Sequence, residues 1–141
     1  MNLDVHHIGI VVDDIDRAKK TYEDVFGLQE TARFTVEAFQ AEVCFLPTNN
    51  TYIELVRPLA DDGLKKFLDR HGSGSLHHIC YLVEDMDDAF FTFTWERGLR
   101  SVTGPPRYTP CFEKAVFFHP KDTGNVLIEL VSGPACPLPG R

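Results

Sequence analysis

The chain has 141 residues and a formal net charge of −7, with 43% apolar and 11% aromatic residues. This length suits one compact domain or two small modules that share a core. The negative charge and the absence of a basic stripe argue against nucleic acid as a partner. The sequence contains no apolar run long enough to cross a membrane and no export signal, so we expect a cytoplasmic protein. The four cysteines form no CxxC pair, which disfavours a disulfide framework.

The first half of the sequence predicts a β-α-β-β-β module. Short β-branched or apolar runs predict strands, and apolar residues at helical spacing predict a helix that ends at Gly27. Asp13 or Asp14 is the expected N-cap of that helix. The predicted strands cover residues 5–12, 31–37, 41–46 and 51–56.

The second half repeats this order after a short helix near 61–70 and a Gly-Ser joint at 72–75. We therefore divide the chain into modules 1–71 and 72–141, which form one structural domain through a shared core. A helix is predicted over 86–97. Strands are predicted over 76–83, 99–103, 115–119 and 126–131, followed by a loose tail from 132 to 141.

An internal repeat supports this division. Residues 5–16 return as residues 76–87, and in each copy two histidines open an apolar run that ends in acids. Residues 53–56, Ile-Glu-Leu-Val, return as residues 128–131. Each half thus carries histidine near its start and a glutamate near its end, which indicates one site shared by two copies of a module.

Strand alternation separates the two histidines of each pair. It places His7 and His78 on the face of the expected shared site. It places His6 and His77 on the opposite face, where we interpret them as structural packing residues.

The repeated histidines and glutamates favour a metal site. Each of these residues alone is more typical of a core histidine or a solvent-facing strand glutamate. An isolated buried carboxylate is costly, however, and two occur at equivalent places with two equivalent histidines. The proposed ligands are His7, Glu54, His78 and Glu129, which together neutralise one divalent ion; Co, Mn, Zn, Ni, Fe and Mg all remain open.

The sequence resembles the vicinal oxygen chelate superfamily, which includes glyoxalases and dioxygenases, and within it most closely the methylmalonyl-CoA epimerase family. The resemblance rests on His7-Ile8-Gly9-Ile10, on residues 52–59, on Leu76-His77-His78-Ile79-Cys80, and on residues 119–130 with His-Pro-Lys-Asp and Val-Leu-Ile-Glu-Leu. It implies an α+β fold in which two tandem βαβββ modules pair into a curved mixed sheet around one metal. It also implies the same four ligands and a homodimer.

The resemblance further implies an epimerase that acts through an enolate on methylmalonyl-CoA or a similar acyl thioester. Such a reaction needs an acid and a base on opposite sides of the α-carbon. The implied catalytic groups are Glu42, five residues before Pro47, and Glu129, acting from the metal shell.

Two alternatives stay open at the level of the sequence. One is another enzyme of the superfamily, a glyoxalase-type isomerase, a lyase or a dioxygenase, acting on a different small substrate. The other is a non-catalytic ligand-binding member. Residues 107–114 form a bulky loop where the epimerases carry a glycine-rich one, so the substrate is the least determined feature.

Overall fold

The computed structural model describes residues 1–140. Within these residues the chain forms seven strands and three α-helices. In chain order they are β1 (Asp4–Val11), α1 (Ile15–Phe26), β2 (Ala32–Val36), β3 (Ala41–Pro47), β4 (Tyr52–Pro58), α2 (Gly63–His71), β5 (Ser75–Leu82), α3 (Met86–Phe91), β6 (Phe112–Phe118) and β7 (Ile128–Pro134). None of the helices in this range has the length and apolar character needed to cross a bilayer.

All seven strands belong to one curled mixed sheet, in the order β2-β3-β4-β1-β5-β7-β6. The two halves meet where β1 pairs antiparallel with β5. On either side of this seam the pairings are equivalent, because β1 is parallel to β4 and β5 is parallel to β7. The predicted α+β fold with two pairing modules is confirmed. The division after residue 71 stays a prediction.

Equivalent aspartates start the helices of the two modules. The side chain of Asp14 accepts a hydrogen bond from the backbone N–H of Arg17 at 2.9 Å, and that of Asp85 accepts one from Asp88 at 3.1 Å. Both bonds satisfy a backbone donor that the first helical turn leaves free. One acid near the end of each copy of the repeat, Asp14 or Asp85, is therefore a helix N-cap, and for the first module this agrees with the expected cap at Asp13 or Asp14.

The hydrophobic core consists of three clusters, which lie on the two faces of the sheet. Ile15 of α1 packs on Cys44 and Leu55, and an equivalent cluster lies under α3. The opposite, concave face carries alternate residues of the same strands, including Phe45 and Tyr52. The concave face therefore holds both the third cluster and the space in which a site can form.

The prediction of a strand over 99–103 is wrong. In this segment Ser101 makes one isolated bridge to Phe118, and a turn follows at Gly104, whose φ is 73°. Pro105 and Pro106 lack the N–H groups that a longer ladder requires. The second module therefore has one strand fewer than the first. The helix predicted over 86–97 is present as α3 followed directly by a π-helical turn over Thr92–Glu96.

The prediction of a loose tail is wrong for residues 132–140, and residue 141 lies outside the described range. Strand β7 continues to Pro134, and Leu138 is 6% exposed. The hydroxyl of Tyr52 donates a hydrogen bond to the carbonyl of Pro137 at 2.6 Å. The tail thus crosses from the second module onto the concave core of the first.

Candidate metal centre and cavity

A β-bulge in each central strand brings both histidines of each pair to the same side of the sheet. Val5 of β1 pairs with Tyr81 of β5, and the next pair is His7 with Cys80. His6 is therefore the extra residue of the bulge in β1. In β5 the extra residue is His77. A bulge re-aims the side chain of its extra residue. The prediction that His6 and His77 face the packing side is therefore wrong.

Hydrogen bonds show where these two rings lie. Nδ1 of His6 is 2.8 Å from Nδ1 of His7, and Nδ1 of His77 is 2.8 Å from Nδ1 of His78. The ring of His6 also contacts Phe45 of the concave core at 6.0 Å between centroids. Each first histidine therefore supports the second one from the side.

Four buried side chains converge between β1, β4, β5 and β7. Nε2 of His7 lies 3.0 Å from Nε2 of His78. Oε1 of Glu129 lies 3.1 Å and 3.3 Å from these two nitrogens, and Oε1 of Glu54 lies 3.5 Å and 3.4 Å from them. All four residues are at most 6% exposed. The structure thus brings together the four residues that the repeat singled out.

The four side chains form a cluster that fits a small divalent ion. Two ligand atoms that are each about 2.1 Å from one ion lie about 3.0–3.4 Å apart at octahedral or tetrahedral angles. The distance between the two imidazole nitrogens and the four distances from these nitrogens to the carboxylates run from 3.0 to 3.5 Å. His7, His78 and Glu129 form the most compact set, with ligand atoms within 4.8 Å of one another. Glu54 lies outside that set, but we include it because its carboxylate reaches both imidazoles.

Hydrogen-bond partners fix the proton positions on the first histidine pair. Nε2 of His6 is 2.8 Å from the carbonyl oxygen of Cys136, which can only accept. Burial and the neighbouring His7 lower the pKa of His6 to about 4, so the neutral ring carries its hydrogen on Nε2. Nδ1 of His6 must then accept the hydrogen of His7 Nδ1. This leaves the lone pair of His7 on Nε2, directed at the cluster, as metal coordination requires.

Without a metal, the cluster holds a proton. Burial alone would lower the pKa of His78, but hydrogen bonds to Glu129 and Glu54 raise it to about 9. Burial alone would raise the pKa of Glu129, but its contacts with the imidazoles of His7 and His78 hold it well below its usual range. An imidazolium therefore compensates the buried carboxylates. A divalent ion would take its place, because imidazole binds metals only when neutral.

A cavity of about 630 Å³ opens above the cluster, within the range typical of small-molecule sites. Glu54, His78 and Glu129 line its base. Its walls include Arg107, which is the only lysine or arginine among the described residues that line it. The bulky segment 107–114, which was predicted to be a loop but enters β6 at Phe112, therefore forms part of the cavity wall.

Residues of this cavity that sequence reasoning missed include His77 and Asp62. His77 lies in its wall, although alternation assigned it to the opposite face. Asp62 also lines the cavity, where it caps α2 by accepting a hydrogen bond from the backbone of Lys65 at 3.1 Å. The duplicated histidine pair could have drawn attention to His77, whereas no feature of the sequence pointed to Asp62 as a cavity residue.

The structure does not bring Glu42 into the cavity. Its neighbours Ala41 and Val43 belong to the concave core, and Glu42 shares the opposite face of β3 with Cys44. There its carboxylate accepts a hydrogen bond from Nε of Arg57 at 3.2 Å. This placement gives no support to a proton-transfer role for Glu42, which stays a prediction from the resemblance.

Comparison with known proteins agrees with the fold. Residues 6–109 match the Glyoxalase/Bleomycin resistance protein/Dioxygenase superfamily, and the chain belongs to this superfamily. Within it, the similar proteins described below are methylmalonyl-CoA epimerases, which are isomerases.

Two curated relatives and one solved structure illustrate the similarity. The ethylmalonyl-CoA/methylmalonyl-CoA epimerase of Cereibacter sphaeroides is 33% identical over 128 residues, 89% of this chain and 95% of the relative. The mitochondrial methylmalonyl-CoA epimerase of Mus musculus is 30% identical over 127 residues, 89% of this chain and 71% of the relative. A methylmalonyl-CoA epimerase in complex with methylmalonyl-CoA and NH4+ superposes with a TM-score of 0.85 at 28% identity, covering 96% of this chain and 97% of that one.

Proposed function

We propose that this protein is a divalent-metal-dependent epimerase that acts through an enolate on a 2-carboxyacyl-CoA such as methylmalonyl-CoA. The observation that carries the proposal is the buried His7, Glu54, His78 and Glu129 cluster at the base of a cavity of substrate size. The named relatives act on substrates of this class.

The four clustered side chains are the proposed ligands. A bound divalent ion supplies Lewis-acid stabilisation for negative charge that develops on the substrate oxygens. His7 and His78 provide neutral nitrogen donors, and the two carboxylates balance the charge of the ion within a buried site. Their close spacing means that little rearrangement is needed when a metal enters.

Glu129 is the proposed proton-transfer group of the cavity. Its carboxylate lines the cavity and is held ionised in the metal-free protein by the two imidazoles. A carboxylate next to the α-carbon can take up the proton of one epimer. The return of a proton from the opposite side requires a second group. The family resemblance implies Glu42, which lies on the face of β3 opposite to the cavity.

Arg107 is the proposed contact for an anionic part of the substrate. Its side chain donates a hydrogen bond through Nε to the carbonyl of Thr103 at 3.1 Å. The two terminal nitrogens of the guanidinium take no part in this bond. A guanidinium can pair with a carboxylate or a phosphate. We infer that Arg107 opposes the overall negative charge of the protein at the cavity wall.

Deuterium exchange tests the proposed reaction. The metal-loaded protein, mixed with one epimer of methylmalonyl-CoA in heavy water, is expected to incorporate α-deuterium and to form the other epimer. Mass spectrometry follows the first event and chiral analysis the second. Absence of exchange by protein with full metal content would refute the proposal.

Elemental analysis tests the ligand set separately. His78→Ala removes a nitrogen donor from the most compact set, so its metal content after dialysis is expected to fall well below that of the parent protein. An unchanged metal content would refute the ligand assignment without bearing on the fold.

The assembly and the cellular location also remain proposals. The family resemblance supports a homodimer, which sedimentation velocity can test at micromolar concentration. A cytoplasmic location is proposed from the composition of the sequence, and fractionation of cells that express the protein can test it.

A further inference from the structure

The two histidine pairs differ in one respect. In the first module, the outer nitrogen of the supporting histidine, Nε2 of His6, is bound to the carbonyl of Cys136 at 2.8 Å. In the second module, the hydrogen bond of the supporting histidine His77 runs through Nδ1 to His78, and its Nε2 has no protein partner within residues 1–140. The C-terminal segment that provides a hydrogen-bond acceptor for His6 therefore has no counterpart at His77.

The role of His78 determines where the hydrogen of His77 lies. For Nε2 of His78 to bind a metal, its hydrogen must be on Nδ1. This hydrogen points at Nδ1 of His77, 2.8 Å away, which must therefore accept. A neutral His77 then carries its own hydrogen on Nε2. The unbound edge of this ring is thus a hydrogen-bond donor.

This donor is accessible. Within residues 1–140, no buried side-chain nitrogen or oxygen lacks a hydrogen-bond partner, so the unpartnered Nε2 of His77 is not a buried atom. His77 lines the same cavity as His78 and Glu129. The ring of Phe67 packs against His77 at 4.9 Å between centroids and at 87°, which holds the imidazole in place. A fixed hydrogen-bond donor therefore lies at the cavity wall, on the residue that contacts His78 of the cluster.

We propose that His77 binds the substrate by donating a hydrogen bond from Nε2 to a carboxylate or thioester oxygen in the cavity. The inference rests on the proposed function, which supplies an oxygen-rich acyl-CoA as ligand. In this arrangement the second histidine pair has two tasks: His78 binds the metal, and His77 both accepts from His78 and orients the substrate. The equivalent His6 only accepts the hydrogen bond from its neighbour His7 and does not contact the substrate.

Two substitutions separate these tasks. The amide oxygen of His77→Asn takes the place of Nδ1 and keeps the acceptor for His78, but the variant lacks the Nε2 donor. The amide of His77→Gln reaches the place of Nε2 and keeps the donor, but the variant loses the acceptor. The probe is malonyl-CoA, which carries the 2-carboxylate but has no epimers. Its dissociation constant is measured by calorimetry on protein with known metal content.

His77→Asn is expected to keep its metal and to bind malonyl-CoA about tenfold or more weakly, the effect of a lost hydrogen bond to a charged group. His77→Gln is expected to bind malonyl-CoA within about threefold of the parent once metal is supplied in excess, and to lose metal more readily on dialysis. With methylmalonyl-CoA, the Asn variant should show a raised KM.

Malonyl-CoA binding by His77→Asn as tight as that of the parent, at equal metal content, would overturn the proposal. So would a parallel loss of metal and malonyl-CoA in both variants, because His77 would then act only through His78. Failure of the parent protein itself to bind malonyl-CoA or to exchange α-deuterium would overturn the proposed function as well. The parent measurement therefore distinguishes failure of the function from failure of the role of His77.

Discussion

The imidazole of His78 fills the space beside Gly9 that a side chain at position 9 would need. The two residues face each other in the register of β1 and β5. A β-carbon built on Gly9 would lie 2.1 Å from Cε1 of His78, far inside van der Waals contact. The glycine in the first copy of the repeat is therefore part of the candidate metal centre, because it makes room for one of its imidazoles.

Gly9→Ala is accordingly expected to displace His78 from the cluster. We expect metal affinity to fall by about 10- to 100-fold, as for other changes that misorient a ligand. Overpacking should also lower the free energy of unfolding by about 1–3 kcal/mol. Metal affinity is measured by competition with a chromogenic chelator, and stability by urea denaturation of the metal-free protein.

Gly63→Ala is the matched control. A β-carbon at Gly63 meets no atom within 4 Å, and Gly63 is the first residue of α2. The added methyl group should therefore leave metal affinity unchanged and slightly favour the helix. Equal metal affinity in the Gly9 and Gly63 variants would contradict the role assigned to the Gly9–His78 contact.

The repeat in the sequence was sufficient to predict which four residues meet. His7 and His78 open equivalent strands, and Glu54 and Glu129 lie on equivalent strands that pair parallel to them. Two copies of a module that share one core must bring such positions together. This inference needed only the spacing of the residues and the alternation of side chains along strands.

The supporting histidines were not predictable in the same way. Alternation assumes regular pairing, and the bulges at His6 and His77 break it at these two positions. A bulge is a property of two strands together, so neither strand alone signals it. The tail was misjudged for a related reason: its prolines suggest looseness, but its carbonyls accept hydrogen bonds from His6 and Tyr52 that lie far away in the sequence.

The metal-free protein should depend on pH in a characteristic way. The pKa of His78 rises from 6.5 to about 9 on folding, so its contribution to stability is complete below pH 6.5 and is lost as the pH rises through 9. The pKa of Glu129 falls below 4.5 on folding, so its contribution is present above pH 4.5 and is lost as the pH falls towards the folded value. Stability of the metal-free protein should therefore be greatest between these limits.

We expect the free energy of unfolding of the metal-free protein to decline by on the order of 1–3 kcal/mol between pH 6.5 and 9.5. Urea denaturation at a series of pH values measures it. His78→Gln, which cannot carry the proton, should lack this decline. The same decline in both proteins would show that other groups cause it.

Glu42 and Glu129 should respond differently to removal of their charge. Glu129→Gln is expected to slow α-deuterium exchange by more than about 100-fold, since it removes a proposed base. Glu42→Gln should retain exchange within about threefold, because the carboxylate of Glu42 pairs with Arg57 on the opposite face of β3.

Arg57→Gln is the control for this comparison, since it breaks the same ion pair but keeps the carboxylate of Glu42. A loss of exchange in the Glu42 variant alone, with full metal content, would favour the role that the family resemblance implies. It would also mean that β3 presents this carboxylate to the substrate in a conformation different from the one described.

The tail provides the last prediction, because it links the surface of the chain to the candidate metal centre. Ending the chain after Ala135 removes the acceptors of His6 and Tyr52 and the buried Leu138. Two hydrogen bonds and one leucine side chain together stabilise the fold by about 3 kcal/mol. Without the carbonyl of Cys136, His6 would also be free to carry its hydrogen on Nδ1 and to donate it to Nδ1 of His7. The hydrogen of His7 would then lie on Nε2, where it opposes metal binding. We therefore expect a several-fold loss of metal affinity in addition to the loss of stability.

Tyr52→Phe separates these two effects. It removes only the hydrogen bond to Pro137, so stability should fall by about 1 kcal/mol while metal affinity stays at the level of the parent. Urea denaturation and chelator competition are measured on both variants. A shortened chain that binds metal as tightly as the full chain would show that the carbonyl of Cys136 does not set the tautomer of His6. A loss of metal affinity in Tyr52→Phe as large as that in the shortened chain would attribute the effect to general loosening of the core.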